Sequence, residues 1–454
     1  MKWNDCSPNR LVLQKHFSMT LLVMVLLAIS SGAEAAKNVI LMIADGQGWN
    51  TVQATEFYAG GPAVYRKFPV QLSASTWSAS NDSKGNPKGY DPIKAWTDFF
   101  YVKGNATDSA AAATALNTGV KVLNGRINWG LDQKPVKPFS QLAAEKKWST
   151  GAITTVMFSH ATPAGVAAHN VYRENYSDIA NEMIYHSDLD VIMGCGHPLF
   201  DSNGKPMAKP VFLYVGGEKT WTDITDANGA NGFTFIETKE DFEKLADGKS
   251  PVPAKVIGTA RIGTTLQQSR LSGNVQEVHC ETFNKEVPDL ATMTRGALRV
   301  LHQNPNGFYL MIEGGAIDWA NHANQKGRMI EEEMDFNHAV QAVVAWVEKK
   351  SNWNDTLLIV TADHETGHLW GSKGYFFPIT FNGVHCVPGM AHNSGSHTNS
   401  LVPLFAKGKA AEAFANYAKQ DDPVRGPYVD NTDVFKVMRA ALVDDPTSTP
   451  GVTK

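Results

Sequence analysis

Cysteine is scarce in this 454-residue sequence, with four in all. Cys6 lies in a stretch that reads as a leader, which leaves Cys195, Cys280 and Cys386, an odd number that allows at most one disulfide. Cys280–Cys386 is the pairing expected if one forms, and no disulfide framework organises the fold. Positive charge is not in excess either, with 41 Lys and Arg against 45 Asp and Glu and a net charge of −4. That balance excludes a nucleic-acid or anionic-membrane partner reached through a global basic field. The sequence has no internal repeat and no low-complexity tract. The apolar run Phe17–Ile29 falls short of the ~20 residues needed to cross a bilayer. Arg10 and Lys15 precede it, and Ala33-Glu34-Ala35 follows as an A-x-A cleavage pattern. Residues 1–35 are therefore expected to be a signal peptide, and the chain to be exported to a periplasmic or extracellular space.

What is present is ordinary globular composition, 43% hydrophobic and 19% charged. From Lys37 to His397 apolar strands alternate with helix-like segments, a pattern that predicts an α/β fold: a mostly parallel central sheet with helices on both faces. The expected strands are Val39–Ile43, Gly151–Val156, Val191–Met193, Phe308–Ile312, Thr356–Thr361 and Val402–Ala406. The expected helices are Ser109–Asn117, Pro138–Lys147, Tyr176–His186, Glu331–Lys349 and Thr432–Leu442. Val340, Val343, Val344 and Val347 recur at helical spacing and read as core. No second autonomous domain stands out. Residues 36–454 read as one catalytic domain with insertions near 201–275, expected to be surface elaboration beside the sheet, and 366–397, expected to be a long loop.

Chemistry gathers at strand ends. Met311-Ile312-Glu313-Gly314-Gly315 closes an apolar run with a carboxylate and two glycines, and Asp318 and His322 follow at i, i+4 spacing. On a helix that spacing stacks an oxygen ligand above an imidazole, a pair suited to a zinc-class ion, and it leaves Glu313 for an oxygen-loving one. Asp45 and the pair Asp363-His364 end two further apolar runs. Taken alone, each reads equally well as a turn. Thr107-Asp108-Ser109 opens an alanine-rich helix that Gly119 can end, with Thr107 or Asp108 as cap. Ser109 then sits where free N–H groups favour an anion, and a nearby zinc ion could hold its hydroxyl as an alkoxide. His160-Ala161-Thr162-Pro163 follows another strand, and Arg173 offers a planar fork for two phosphate oxygens. His397, ahead of the last strand, is a candidate third ligand beside Asp318 and His322. His368 reads as either a neighbour of the ligands or plain loop.

Together Asp45-Gly46, Thr107-Asp108-Ser109-Ala110-Ala111, Ala161-Thr162-Pro163, Glu313-Gly314 with Asp318 and His322, Thr361-Ala362-Asp363-His364 and Gly395-Ser396-His397-Thr398 resemble the alkaline phosphatase family, in the family's order and over roughly residues 37–410. The resemblance implies Ser109 as a nucleophile that becomes phosphoserine, and Arg173 as a clamp on the phosphoryl oxygens. It implies one zinc held by Asp318, His322 and His397 and a second by Asp45, Asp363 and His364. A magnesium would be held by Asp45, Thr162 and Glu313, with Asp45 bridging. Homodimers, phosphate-monoester substrates and alkaline pH go with it. His160 and Trp319 stand where the enteric-type pattern has Asp and Lys, as in animal and marine bacterial members, which bears on the third site's choice of magnesium. They and Asp108 are expected beside the substrate or behind the ligands. The rival readings are a phosphodiesterase or nucleotide pyrophosphatase on the same metal frame, and a non-catalytic phosphate- or metal-binding protein. A sulfatase would need a C/S-x-P-x-R setting that Ser109-Ala110-Ala111 lacks.

Overall fold

In the computed structural model, which describes residues 35–80, 89–226 and 229–443, the first apolar run becomes the centre of the sheet. The expected signal peptide lies almost wholly outside the described residues. In chain order the strands are β1 Asn38–Ala44, β2 Val70–Ser75, β3 Ser149–Met157, β4 Val191–Cys195, β5 Thr234–Ile236, β6 Val256–Thr259, β7 Phe308–Gly314, β8 Thr356–Thr361, β9 Glu365–Thr366, β10 Leu369–Trp370, β11 Ala391–His392, β12 His397–Thr398, β13 Val402–Gly408, β14 Gln420–Asp422 and β15 Gly426–Asp430. One sheet of 11 strands runs β14-β15-β2-β13-β8-β1-β7-β3-β4-β6-β5. From β8 to β5 every neighbouring pair is parallel, while β13 runs antiparallel to both β8 and β2.

Strand β1 is buried on both sides because its side chains alternate between two cores. Val39, Leu41 and Ile43 join the layer that holds the helices Ser109–Thr118, Phe139–Glu145 and Thr432–Val443. Ile40, Met42 and Ala44 join the layer that holds Leu290–Leu301 and Lys326–Lys350. The fold is thus the expected mostly parallel α/β sheet with helices on both faces. Among the described residues no helix is long and apolar enough to cross a membrane.

The expected strands are all present, most of them a residue or two longer, and the helix expected from Glu331 begins at Lys326. The segment Tyr176–His186 is an α-helix to Asn181 that closes in a π-helical turn. Two expectations are corrected. Residues 201–275 are not mere surface elaboration. They supply β5 and β6, which extend the sheet, and Phe242 and Leu245 of the helix Lys239–Asp247 enter the core. Their polar composition belongs to the outward faces and the connecting turns, and it masks short apolar stretches such as Val256-Ile257. Cys280 and Cys386 are free, exposed thiols and do not form the expected bond. Counting cysteines sets a maximum, whereas pairing needs a specific Cβ geometry that a count does not supply.

An ionic hub fastens the end of this region to the long helix. Glu331 Oε2 accepts from Arg270 Nη2 at 2.8 Å and from Arg328 Nη1 at 3.1 Å, and all three side chains are about 1% exposed or less. Glu331 Oε1 accepts from the His279 N–H at 2.6 Å. Removing one partner from a buried pair leaves the others uncompensated. Glu331→Gln is therefore expected to lower unfolding free energy by about 3–5 kcal/mol, read from the urea midpoint. A loss well under 1 kcal/mol would show that the hub does not hold the loop.

Candidate metal centre

The neighbouring strands β8, β1, β7 and β3 end side by side, and the expected residues sit at or just past their carboxyl ends, where open parallel sheets bind ligands. Asp45 follows β1, Glu313 is the penultimate residue of β7, Asp363 and His364 follow β8, and His160 and Thr162 follow β3. The register sets Ile43 beside both Glu313 and Thr361, so the acidic tips emerge level with one another. Gly46, at φ +75°, has no room for a side chain, because a Cβ there would stand 2.8 Å from Asp318 Cα. The turn after Asp45 therefore lies directly on the helix Ala316–His322 and brings Asp318 to Asp45.

Hydrogen bonds fix which imidazole nitrogens carry lone pairs. His397 Nδ1 bonds the Thr107 carbonyl and His322 Nδ1 the Gly395 carbonyl, each at 2.8 Å. A carbonyl only accepts, so both Nδ1 atoms are N–H, and in the neutral ring each Nε2 carries the lone pair. Those two Nε2 atoms lie 3.0 Å apart, and His322 Nε2 is 3.3 Å from Asp318 Oδ2. Thr366 donates its hydroxyl to Asp318 Oδ1 at 2.6 Å and lies 3.2 Å from His364 Nδ1, which donates to it. His364 Nε2 faces both the Ser109 hydroxyl and Asp363 Oδ2, each at 3.1 Å. A ligand histidine oriented by its other nitrogen is the usual arrangement around a metal ion.

Three groups of side chains present atoms close enough to share an ion: Asp45, Asp363 and His364; Asp318, His364 and His397; and Asp45, His160 and Glu313. The first is the expected set. In the second, His364 stands where His322 was expected, with His322 bordering the same point. In the third, His160 joins the expected Asp45 and Glu313, and Thr162 is bonded to Asp45 Oδ2 at 3.4 Å. Asp45 Oδ1 and Glu313 Oε1 are buried oxygens without hydrogen-bond partners. Burial, then Asp363, Asp318 and Glu313, push Asp45 well above the usual carboxylate range, and burial pushes Glu313 up to about 7. Asp363, although burial opposes it, is held at about 2 by His364 and His397. Partnerless oxygens, inward lone pairs and crowded acids are together the chemistry of a cation site.

Asp108, not Thr107, caps the helix that Ser109 opens. Its Oδ1 accepts from Ala111 N at 3.0 Å, and its Oδ2 accepts from Gly125 N at 2.8 Å and from Arg173 Nη1 at 3.1 Å. Arg173 Nη2 also reaches His160 Nε2 at 3.3 Å. All ten residues of this helix are buried, and its alanines let the turn at Gly165 approach Ala113. Ser109, Arg173, His160, Trp319 and His397 line a cavity of about 580 Å³ together with Gln268 and Ser269. The last two were missed, since nothing in their spacing marks them. His368 is buried against Phe99, with ring centroids 4.4 Å apart.

Comparison with known proteins gives a consistent match. Residues 36–376 match the family described as Alkaline phosphatase. Alkaline phosphatase H of Pseudomonas aeruginosa (strain UCBPP-PA14) is 31% identical over 365 residues, covering 74% of this chain and 70% of the relative. Alkaline phosphatase 4 of Bacillus subtilis (strain 168) is 31% identical over 343 residues, covering 73% of this chain. The chain spans 62% of that relative's length and 63% of that of alkaline phosphatase 3 of the same species, somewhat under two thirds. The solved structure of alkaline phosphatase from the Antarctic bacterium TAB5 superposes with a TM-score of 0.62 at 25% identity, covering 90% of this chain and 98% of that one.

The acid crowding has a signed consequence. Asp45→Asn is expected to stabilise the chelated protein, because it removes one of the crowded buried carboxylates. Zinc at a thousand-fold excess over its dissociation constant should stabilise the wild type by about 4 kcal/mol and the variant far less. Thermal melts with and without chelator check both, and a variant less stable than wild type under chelation would refute the crowding.

Proposed function

The chain belongs to the alkaline phosphatase family, and from that premise we propose that it is an exported phosphatase, hydrolysing phosphate monoesters through a phosphoserine at Ser109. Residues 36–454 act as one catalytic domain, and two copies form a homodimer. The observation that carries the reading is Ser109 itself. Its hydroxyl, in the first turn of a capped helix, meets His364 Nε2 at 3.1 Å beside clustered cation ligands.

One zinc is assigned to Asp318, His322 and His397, a second to Asp45, Asp363 and His364, and a magnesium to Asp45, Thr162 and Glu313. When bound, such cations supply charge neutralisation and Lewis acidity on both sides of an in-line displacement. Ser109 Oγ forms a bond to phosphorus as the bond to the alcohol oxygen breaks. The proton lost by the serine is matched by one the departing alcohol gains from solvent. Water then attacks phosphorus, the Ser109 Oγ–P bond breaks, and phosphate leaves. Arg173 meets two phosphoryl oxygens with its fork, and Asp108 steadies it from behind. His160 and Trp319 flank the same oxygens, and the His160 imidazole opens the third site to zinc as well as magnesium.

The test is hydrolysis of a chromogenic phosphate monoester beside its diester at alkaline pH, after chelation and then with zinc and magnesium restored. Monoester turnover that is lost and regained is expected. Preferred diester cleavage, or indifference to chelation, would overturn the reading. Ser109→Ala should cut turnover by about 10³-fold or more while zinc binding persists. Trp319→Lys should lower the inhibition constant of inorganic phosphate several-fold, roughly 1 kcal/mol of added charge attraction.

A further inference from the structure

Glu365 has no part in that chemistry, yet it sits against it. It follows His364 in the chain and turns the other way. In the short ladder of β9 and β12, Thr366 pairs with His397 and Glu365 with Thr398. Side chains alternate along a strand, so Thr366 and His397 look into the metal centre and Glu365 and Thr398 look out behind it. There the Glu365 carboxyl is buried and both oxygens are engaged. Oε2 accepts from the Thr398 hydroxyl, and Oε1 accepts from Leu369 N–H at 3.3 Å. The turn that leaves Asp45 rests on the same side chain, since a Cβ on Gly48 would come within 2.5 Å of Glu365 Cγ.

Accepting the metal centre as read above, we infer that Glu365 is a positioning residue for the zinc ligands. Its side chain joins three segments that the chain delivers separately: the turn after Asp45, packed on its Cγ, the tip of β8 with Asp363 and His364, and the strand with His397, bonded to its carboxyl through Thr398. Two residue pairs are too few for the β9–β12 ladder to hold its own register. The Glu365–Thr398 bond crosses that ladder on the face away from the cations and stops His397 from sliding past His364. The ligands are then set at their working separation before any cation arrives, which is what orienting partners behind a metal site contribute.

The experiment uses the full chain loaded with zinc and three variants, Thr398→Val, Thr398→Ser and Glu365→Gln. Zinc affinity is read by competition with a chromophoric chelator, and the melting temperature of each chelated protein serves as control. Thr398→Val and Glu365→Gln should weaken zinc binding by about 10-fold or more, Thr398→Ser should retain it, and the chelated melts should stay close together. The inference is overturned if Thr398→Val binds zinc as the wild type does. It is equally overturned if Thr398→Ser loses as much as Thr398→Val, or if the losses merely track the chelated melts. A wild type that binds no zinc would overturn the metal-centre reading itself. A wild type that binds zinc tightly beside unaffected variants would overturn this inference alone.

Discussion

Asp45, Glu313, Asp318 and Asp363 bring their negative charge into one buried site, and the surrounding structure answers that constraint. Ionised carboxylates out of water must be paired, protonated or bound to cations. Here burial and mutual repulsion drive Asp45 and Glu313 towards protonation, while His364, its Nε2 3.1 Å from Asp363 Oδ2, holds Asp363 low. Such a site exists only if its backbone cannot spread apart. The parallel strands β8, β1, β7 and β3 supply that rigidity, because Asp45, Glu313, Asp363 and His364 sit in or within a few residues of strands locked on both sides.

A second layer of bonds decides orientation. Thr366, the carbonyls of Thr107 and Gly395, and Thr154, which donates to Glu313 Oε2, each spend one polar atom to aim a ligand. Asp108 does the same for the opposite charge. It caps the Ser109 helix and holds Arg173, so the serine and the guanidinium share one anchor. The clustered acids and imidazoles and the guanidinium of Arg173 are thus aimed by the same means, a side chain with one polar atom already committed.

Much of this was legible in the sequence where the information is local. Val39–Ile43 followed by Asp45, and Leu357–Thr361 followed by Asp363, show a buried strand with an acidic tip, and the i, i+4 pair of Asp318 and His322 shows a helix face. What stayed hidden depends on distant partners. Gln268 and Ser269 line the cavity from a loop tied down by distant partners, Gln268 to Gln325 and the next residue, Arg270, to Glu331 across 61 residues. Glu365 gains its meaning from Thr398, 33 residues on. The strand β2 escaped notice because its burial comes from β13 and β15, which arrive late in the chain. The helix Trp49–Ala59 mixes buried and half-exposed positions without a clean apolar stripe, so periodicity does not reveal it.

The central place of β1 also sets a timetable. The side chain of Asn38 bonds to that of Thr356, a partner 318 residues later, and β7 and β8 flank β1 throughout its length. At synthesis rates of about 5–20 residues per second the first strand waits roughly 15–60 s for its neighbours. Through that interval an apolar segment with open edges has nothing native to pair with, which is the condition for aggregation. A chain of this design gains from being kept unfolded and guarded until its last third has been made.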